Sequence, residues 1–108
     1  MDDARANEVL DRLIEWRLVE EVGGEVRPTR RWVAKLQAAA EKLNQLHARH
    51  LMPQGNPLVL AVSHALANEN LTSDEALHAD AVRMLVTLEL SRMPREKRET
   101  YGFGDAPL

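Results

Sequence analysis

The run LVEEVGGEVRPTRRWVAKLQAAAEKLNQLHARHL, residues 18–51, constrains the fold more than any other part of the chain. Leu18, Val19 and Val22 face Val26 across Gly23-Gly24. A Gly-Gly pair between aliphatic runs permits the positive φ angles of a two-residue hairpin turn. A lone two-stranded hairpin is marginal in water, so the helices on either side must supply an apolar bed. Pro28 ends the second strand, and Thr29 is placed to cap the helix that follows.

That helix is expected from about Arg30 to about Leu51. With a helical turn of about 100° per residue, Trp32, Leu36, Ala39, Leu43, Leu46 and His50 fall on one side, and Val33, Ala40 and His47 widen the stripe toward a core. Arg31, Lys35, Lys42 and Arg49 form a narrower stripe beside it. From Arg27 to His50 there are six Lys or Arg and one acid, Glu41.

The remaining elements read as helices. The first begins after Asp2 and Asp3, whose charge suits a helix start, and runs to about Arg17 with Ala6, Val9, Leu10, Leu13, Ile14 and Trp16 on its apolar face. Residues 52–57 are dense in breakers, and Asn56-Pro57 reads as a cap followed by proline at the first helical position. The helix from about Pro57 to Glu69 is apolar on most sides and belongs near the centre. Thr72 and Glu75 have capping-box spacing and open a helix reaching about Met93. Leu77, Ala81, Met84, Leu85 and Leu88 form one stripe on it, and Val82, Val86, Leu90 and Met93 a second, nearly opposite. A helix with two apolar sides is either sandwiched inside the fold or shared with another subunit, and with so few helices to cover it a homodimer interface is expected at those four residues. Pro94 restarts a short helix anchored by Tyr101 and Phe103, and residues 104–108 form a flexible tail. The fold class is therefore mainly α, with four main helices, a short C-terminal helix and one β-hairpin at about residues 18–28. The single domain covers residues 1–103.

Composition narrows the function classes. The chain has 108 residues and four aromatic side chains, so Leu, Val and Ala must fill its interior, which suits helix packing. The net charge of −3 is too small to imply a partner by itself, but its distribution is uneven. The basic segment 27–50 is followed by an acidic one, 69–89, with five acids and one Arg. Cysteine is absent, which removes disulfides and thiolate metal sites. The acidic start lacks the apolar core of a signal peptide, and no apolar run approaches the roughly 20 residues of a membrane span. The expected location is the cytoplasm, with no membrane contact.

Residues 15–29, EWRLVEEVGGEVRPT, resemble the end of a winged-helix DNA-binding domain. In that family a recognition helix leads into a strand, a tight turn, a returning strand and another helix. The resemblance covers about residues 4–50 and implies a winged-helix-like fold with a regulatory role on double-stranded DNA. One helix precedes the hairpin here, where the family uses three, and Arg17 stands where glycine usually closes the recognition helix. The helix in the recognition position is also acidic, which fits protein contact better than groove contact.

Three constellations bear on chemistry. Arg27, Arg30, Arg31, Lys35, Lys42 and Arg49 are candidates for tracking a nucleic-acid backbone, or else the solvated face of a helix meeting the acidic segment 69–89. His47 and His50, together with Glu75, His78 and His64, suggest a helical-bundle metal site. However, only one Glu-x-x-His motif is present where such sites use two, so no metal or other cofactor is expected. No phosphate-cradling glycine loop, nucleophile elbow or cysteine points to an enzyme. The sequence reads as a small non-enzymatic regulator of winged-helix character, acting as a homodimer on DNA or on a regulatory protein. The competing reading is a helical interaction adaptor or structural subunit without nucleic-acid binding.

Overall fold

The computed structural model describes residues 2–49 and 56–96. Helix α1 (Asp3–Glu15) leads into strands β1 (Val19–Val22) and β2 (Glu25–Pro28), followed by helices α2 (Arg30–Ala48), α3 (Pro57–Ala67) and α4 (Glu75–Arg92). The architecture is mainly helical, with an antiparallel hairpin between the first two helices, as the glycine pair and the helical periodicities imply. Of the short helix expected after Pro94, Arg95 and Glu96 are described and helical; the rest of it, with Tyr101 and Phe103, and the tail beyond lie outside the described residues.

The hairpin forms for the reason its sequence gives. Gly23 and Gly24 have φ of 60° and 82°, angles that cost L side chains about 1–2 kcal/mol each and glycine little. The strands pair Val19 with Pro28, Glu20 with Arg27, Glu21 with Val26 and Val22 with Glu25. Only the base of this ribbon is covered. Leu18, Val19 and Pro28 are buried and Val26 half-buried, whereas residues 20–25 are exposed.

Two devices fix the base of the hairpin to its flanking helices. At the end of α1, Arg17 takes a positive φ of 61°, and the Leu18 amide donates back to the Leu13 carbonyl at 3.0 Å. At the start of α2, the Thr29 hydroxyl donates to the Arg17 carbonyl at 2.8 Å and accepts from the Trp32 amide at 3.2 Å. Thr29 thus caps α2, as its position after Pro28 implies, and also ties α2 to the residue that closes α1.

The other caps follow sequence with one correction. Asn56 accepts from the Leu58 amide at 3.0 Å, with Pro57 at the first helical position. The expected capping box at Thr72 and Glu75 does not form. Asp74 is the cap of α4, accepting from the Ala76 and Leu77 amides, while Thr72 accepts from Asp74 N–H at 3.1 Å. A carboxylate one residue before the helix is the stronger acceptor for its free amides, so it displaces the hydroxyl further upstream.

Helix α3 packs on both α2 and α4, and α1 packs on α4 and β1. One core results, built from Val9 and Leu13 of α1, Leu18 and Val19 at the hairpin base, Trp32 and Ala39 of α2, and the buried residues of α3 and α4. Trp32 is completely buried, and Trp16 and Leu36 pack half-buried against the same cluster. Helix α3 contributes Leu58, Ala61, Val62, Ala65 and Leu66, consistent with a segment apolar on most sides lying at the centre. Arg5 donates to Asp80 at 2.7 Å and pairs with Glu8 at 3.2 Å, tying the start of α1 to α4. Hydrogen bonding to Asp80 first, and to Glu8 second, holds the guanidinium above its ordinary pKa. Among the described residues, no helix is long and apolar enough to cross a membrane.

Candidate interaction surfaces

The six cations do not form one free stripe. Arg31 donates through Nη2 to Oε2 of Glu69 at 2.9 Å and through Nη1 to the Trp16 carbonyl at 3.2 Å. Lys35 places Nζ 3.1 Å from Oε1 of the same carboxylate. Glu69 lies just past the end of α3, and its side chain is only 7% exposed. Oε1 has no directed hydrogen bond, so the Lys35 contact is one of charge rather than of aligned donor and acceptor. Arg27 is paired with Glu25 at 3.1 Å. Arg30, Lys42 and Arg49 are exposed and form no ion pair among the described residues.

The signal for this pairing was in the sequence as the acidic segment 69–89, but its register against α2 depends on how α3 folds back. Helix α3 lies along α2 and returns its C-terminal end to the first turns of α2. That brings the acid to Arg31 and Lys35 rather than to Lys42 or Arg49.

A different surface carries negative charge. The exposed part of the hairpin presents Glu20, Glu21 and Glu25, with Val22 at the turn 46% exposed. Val22 stands out as an exposed large hydrophobic residue among those described. Helix α1, which packs on β1, exposes Asp3, Glu8, Asp11 and Glu15. Of the cations on and beside it, Arg12 is bound to Glu15 at 3.1 Å, Arg5 is bound to Asp80 and Glu8, and Arg17 is exposed with no ion pair among the described residues.

The residues expected at a homodimer interface divide. Val86 and Leu90 are 1% and 6% exposed and belong to the chain's own core, with Val82 and Met93 half-buried against it. Burial covers a wide arc of α4, because α1 and α3 both pack against it. The fold therefore covers Val86 and Leu90 without a second subunit.

Near Val86, Glu89 has a side chain 15% exposed and 4.0 Å from Arg92. Burial pushes its carboxyl pKa up, and Arg92 offsets this only in part. The histidines are dispersed. His64 lines a groove between α2 and α3 with Lys35, Ala38, Ala39, Lys42, Ala65 and Asn68. His78 lines a small cleft with Trp16, Leu66 and Thr72. Glu75 is exposed in the first turn of α4. The side chain of His47 and all of His50 lie outside the described residues. Among the described residues, no three His, Asp or Glu side chains gather as a set that could hold a metal ion.

Comparison of the chain with protein-family models, with curated proteins and with solved structures gives no match.

Proposed function

We propose that this chain is a small non-enzymatic adaptor or regulator that binds a partner protein carrying a basic surface, through its projecting hairpin and the exposed acids of α1. The observation that carries this reading is the hairpin itself. An exposed valine at its turn shares one face of the ribbon with Glu20 and with the paired Glu25 and Arg27, and Glu21 lies on the other face. An apolar anchor within a charged rim is the usual anatomy of a protein contact, and the acid excess would steer a basic partner toward it. The resemblance of residues 4–50 to a winged-helix segment would fit a regulatory role. Its helix and wing, however, carry the sign of charge that a phosphate backbone repels.

A second reading rests on Arg30, Lys42 and Arg49, the three of the six candidate cations that form no ion pair among the described residues. They could track a duplex, but weakly. Salt dependence scales with the phosphates neutralised, so three contacts give a log–log slope of about −3 where six give about −5. Fluorescence anisotropy of a labelled generic duplex, titrated with the protein at low and moderate salt, tests the choice. Protein contact predicts no measurable duplex binding even at low salt. Micromolar binding with a slope steeper than about −4 would mean that Arg27, Arg31 and Lys35 leave their carboxylates to meet DNA, and would overturn the proposal.

A further inference from the structure

The outer edge of β2 carries a pattern that the fold itself does not use. In the register of the ribbon, Val22 lies opposite Glu25 and Glu20 opposite Arg27. A two-residue turn makes the pair that flanks it hydrogen-bonded, and bonded pairs then alternate along the strands. Glu25 and Arg27 therefore bond inward to β1. Thr29 continues the alternation, its amide donating to the Leu18 carbonyl at 3.0 Å. Val26 falls between the bonded positions and turns its N–H and C=O outward, where neither has a partner among the described residues. Pro28 also faces outward but has no N–H, so within β2 only Val26 offers both a donor and an acceptor. The edge is open: Glu25, Val26 and Arg27 form one wall of a groove whose other wall is Leu88, Ser91 and Arg92 of α4. An uncovered strand edge is a template for a further strand.

We infer that the strand this edge takes is β2 of a second copy of the chain, antiparallel about a two-fold axis at Val26. Each Val26 then exchanges both backbone bonds with its copy. Glu25 lies directly opposite the partner's Arg27, and Arg27 opposite the partner's Glu25, in the closer, non-bonded pairs where side chains interact most. The contact is self-complementary, as a two-fold interface must be. The charges also select this register. Sliding the strands by two residues one way sets Glu25 against the partner's Glu25, and sliding the other way sets Arg27 against the partner's Arg27. Sliding by one turns the inward-bonded groups of Glu25 or Arg27 toward Val26. Both charged side chains are exposed, and their ion pair within one chain, 3.1 Å long, leaves each free to meet a second charge. The pairing is short, so the dimer is weak and reversible. It does not use the α4 stripe, and it does not rest on the proposed partner surface, with which it shares only Glu25.

The test is sedimentation velocity of the full chain from low to high micromolar concentration, with amide hydrogen exchange at both ends of that range. The wild type is expected to pass reversibly from monomer to dimer. Glu25→Arg alone and Arg27→Glu alone each set like charges across the axis twice, and each should weaken the dimer at least about tenfold. An equimolar mixture of the two variants should dimerise again, because one then presents two arginines and the other two glutamates across the pairing. The Val26 amide should exchange fast in dilute protein and slow as dimer forms, while Glu25 and Arg27 stay protected throughout. A monomer at every concentration would overturn the inference. So would a dimer that both single variants leave intact, a mixture that stays monomeric, or exchange at Val26 that does not change with concentration.

Discussion

Arg31 joins the end of one helix to the end of another, donating to the Trp16 carbonyl at 3.2 Å and to Glu69 at 2.9 Å. A residue that reads in sequence as one member of a basic stripe is thus a structural tie between α1, α2 and the chain beyond α3. Replacing Glu69 by Gln removes the charge that Arg31 and Lys35 share while keeping the shape. A loss of about 1 kcal/mol is expected, at the upper end for exposed pairs because the carboxylate is buried while its partners are half-exposed. Urea unfolding of Glu69→Gln, Arg31→Ala and the double variant should give a coupling of about 0.5–1 kcal/mol. That coupling should shrink in high salt.

Thr29 serves both sides of the hairpin base. Thr29→Ala removes the α2 cap and the bond to the Arg17 carbonyl, and should cost about 1–2 kcal/mol. Thr29→Ser keeps the hydroxyl and should recover most of that loss in the same chemical-denaturation assay.

Arg17 has a positive φ of 61° where a glycine would sit without strain. Arg17→Gly should stabilise the chain by up to about 1 kcal/mol, the relief of left-handed strain less the added entropy of glycine in the unfolded chain. Arg17→Val should destabilise it, because a β-branched side chain tolerates that conformation worst. Opposite shifts in melting temperature for the two variants check this.

Trp32 is wholly buried, and its indole Nε1 has no hydrogen-bond partner. Trp32→Ala should cost about 3–5 kcal/mol through the cavity it leaves. Trp32→Phe should cost clearly less than Trp32→Ala, because its ring leaves a smaller cavity and the lost N–H made no bond. Comparison of the two unfolding free energies tests whether the indole acts as volume alone.

Glu89 gives a pH dependence with a definite sign. Burial raises its folded-state pKa, so between the ordinary value of 4.5 and that raised value the folded chain binds more protons than the unfolded one. Stability contributed by this group therefore falls as pH rises through that window, and the cost is fully present above it. Glu89→Gln should raise the melting temperature at neutral pH and flatten this part of the profile. An unchanged profile would place Glu89 in a solvated environment.

The hairpin and the caps at Thr29 and Asn56 were legible because their determinants are local: two glycines, a hydroxyl after proline, an Asx-Pro step. Burial of Val9, Leu13, Trp32 and Ala39 followed from helical period alone. What sequence could not show was which neighbour each face meets. The stripe at Val82, Val86, Leu90 and Met93 fits either an interior position or a second subunit, and that α1 and α3 both pack on α4 is a property of topology that one helix's pattern does not carry. The pairing of Glu69 with Arg31 and Lys35 joins residues 38 and 34 positions apart, so no local pattern marks it. The cap of α4 moved from Thr72 to Asp74 because two candidate acceptors lie within three residues and the carboxylate is the better one.

The decisive measurement is an amide NMR titration with an arginine-rich peptide and, in parallel, with a generic DNA duplex, both at low salt. Binding through the acidic hairpin predicts saturable shifts from the peptide at Glu20, Glu21, Val22 and Glu25 and in α1, weakened by Val22→Glu with unchanged stability, and none there from the duplex. Saturable duplex shifts along α1 and the hairpin, with none from the peptide, would contradict it.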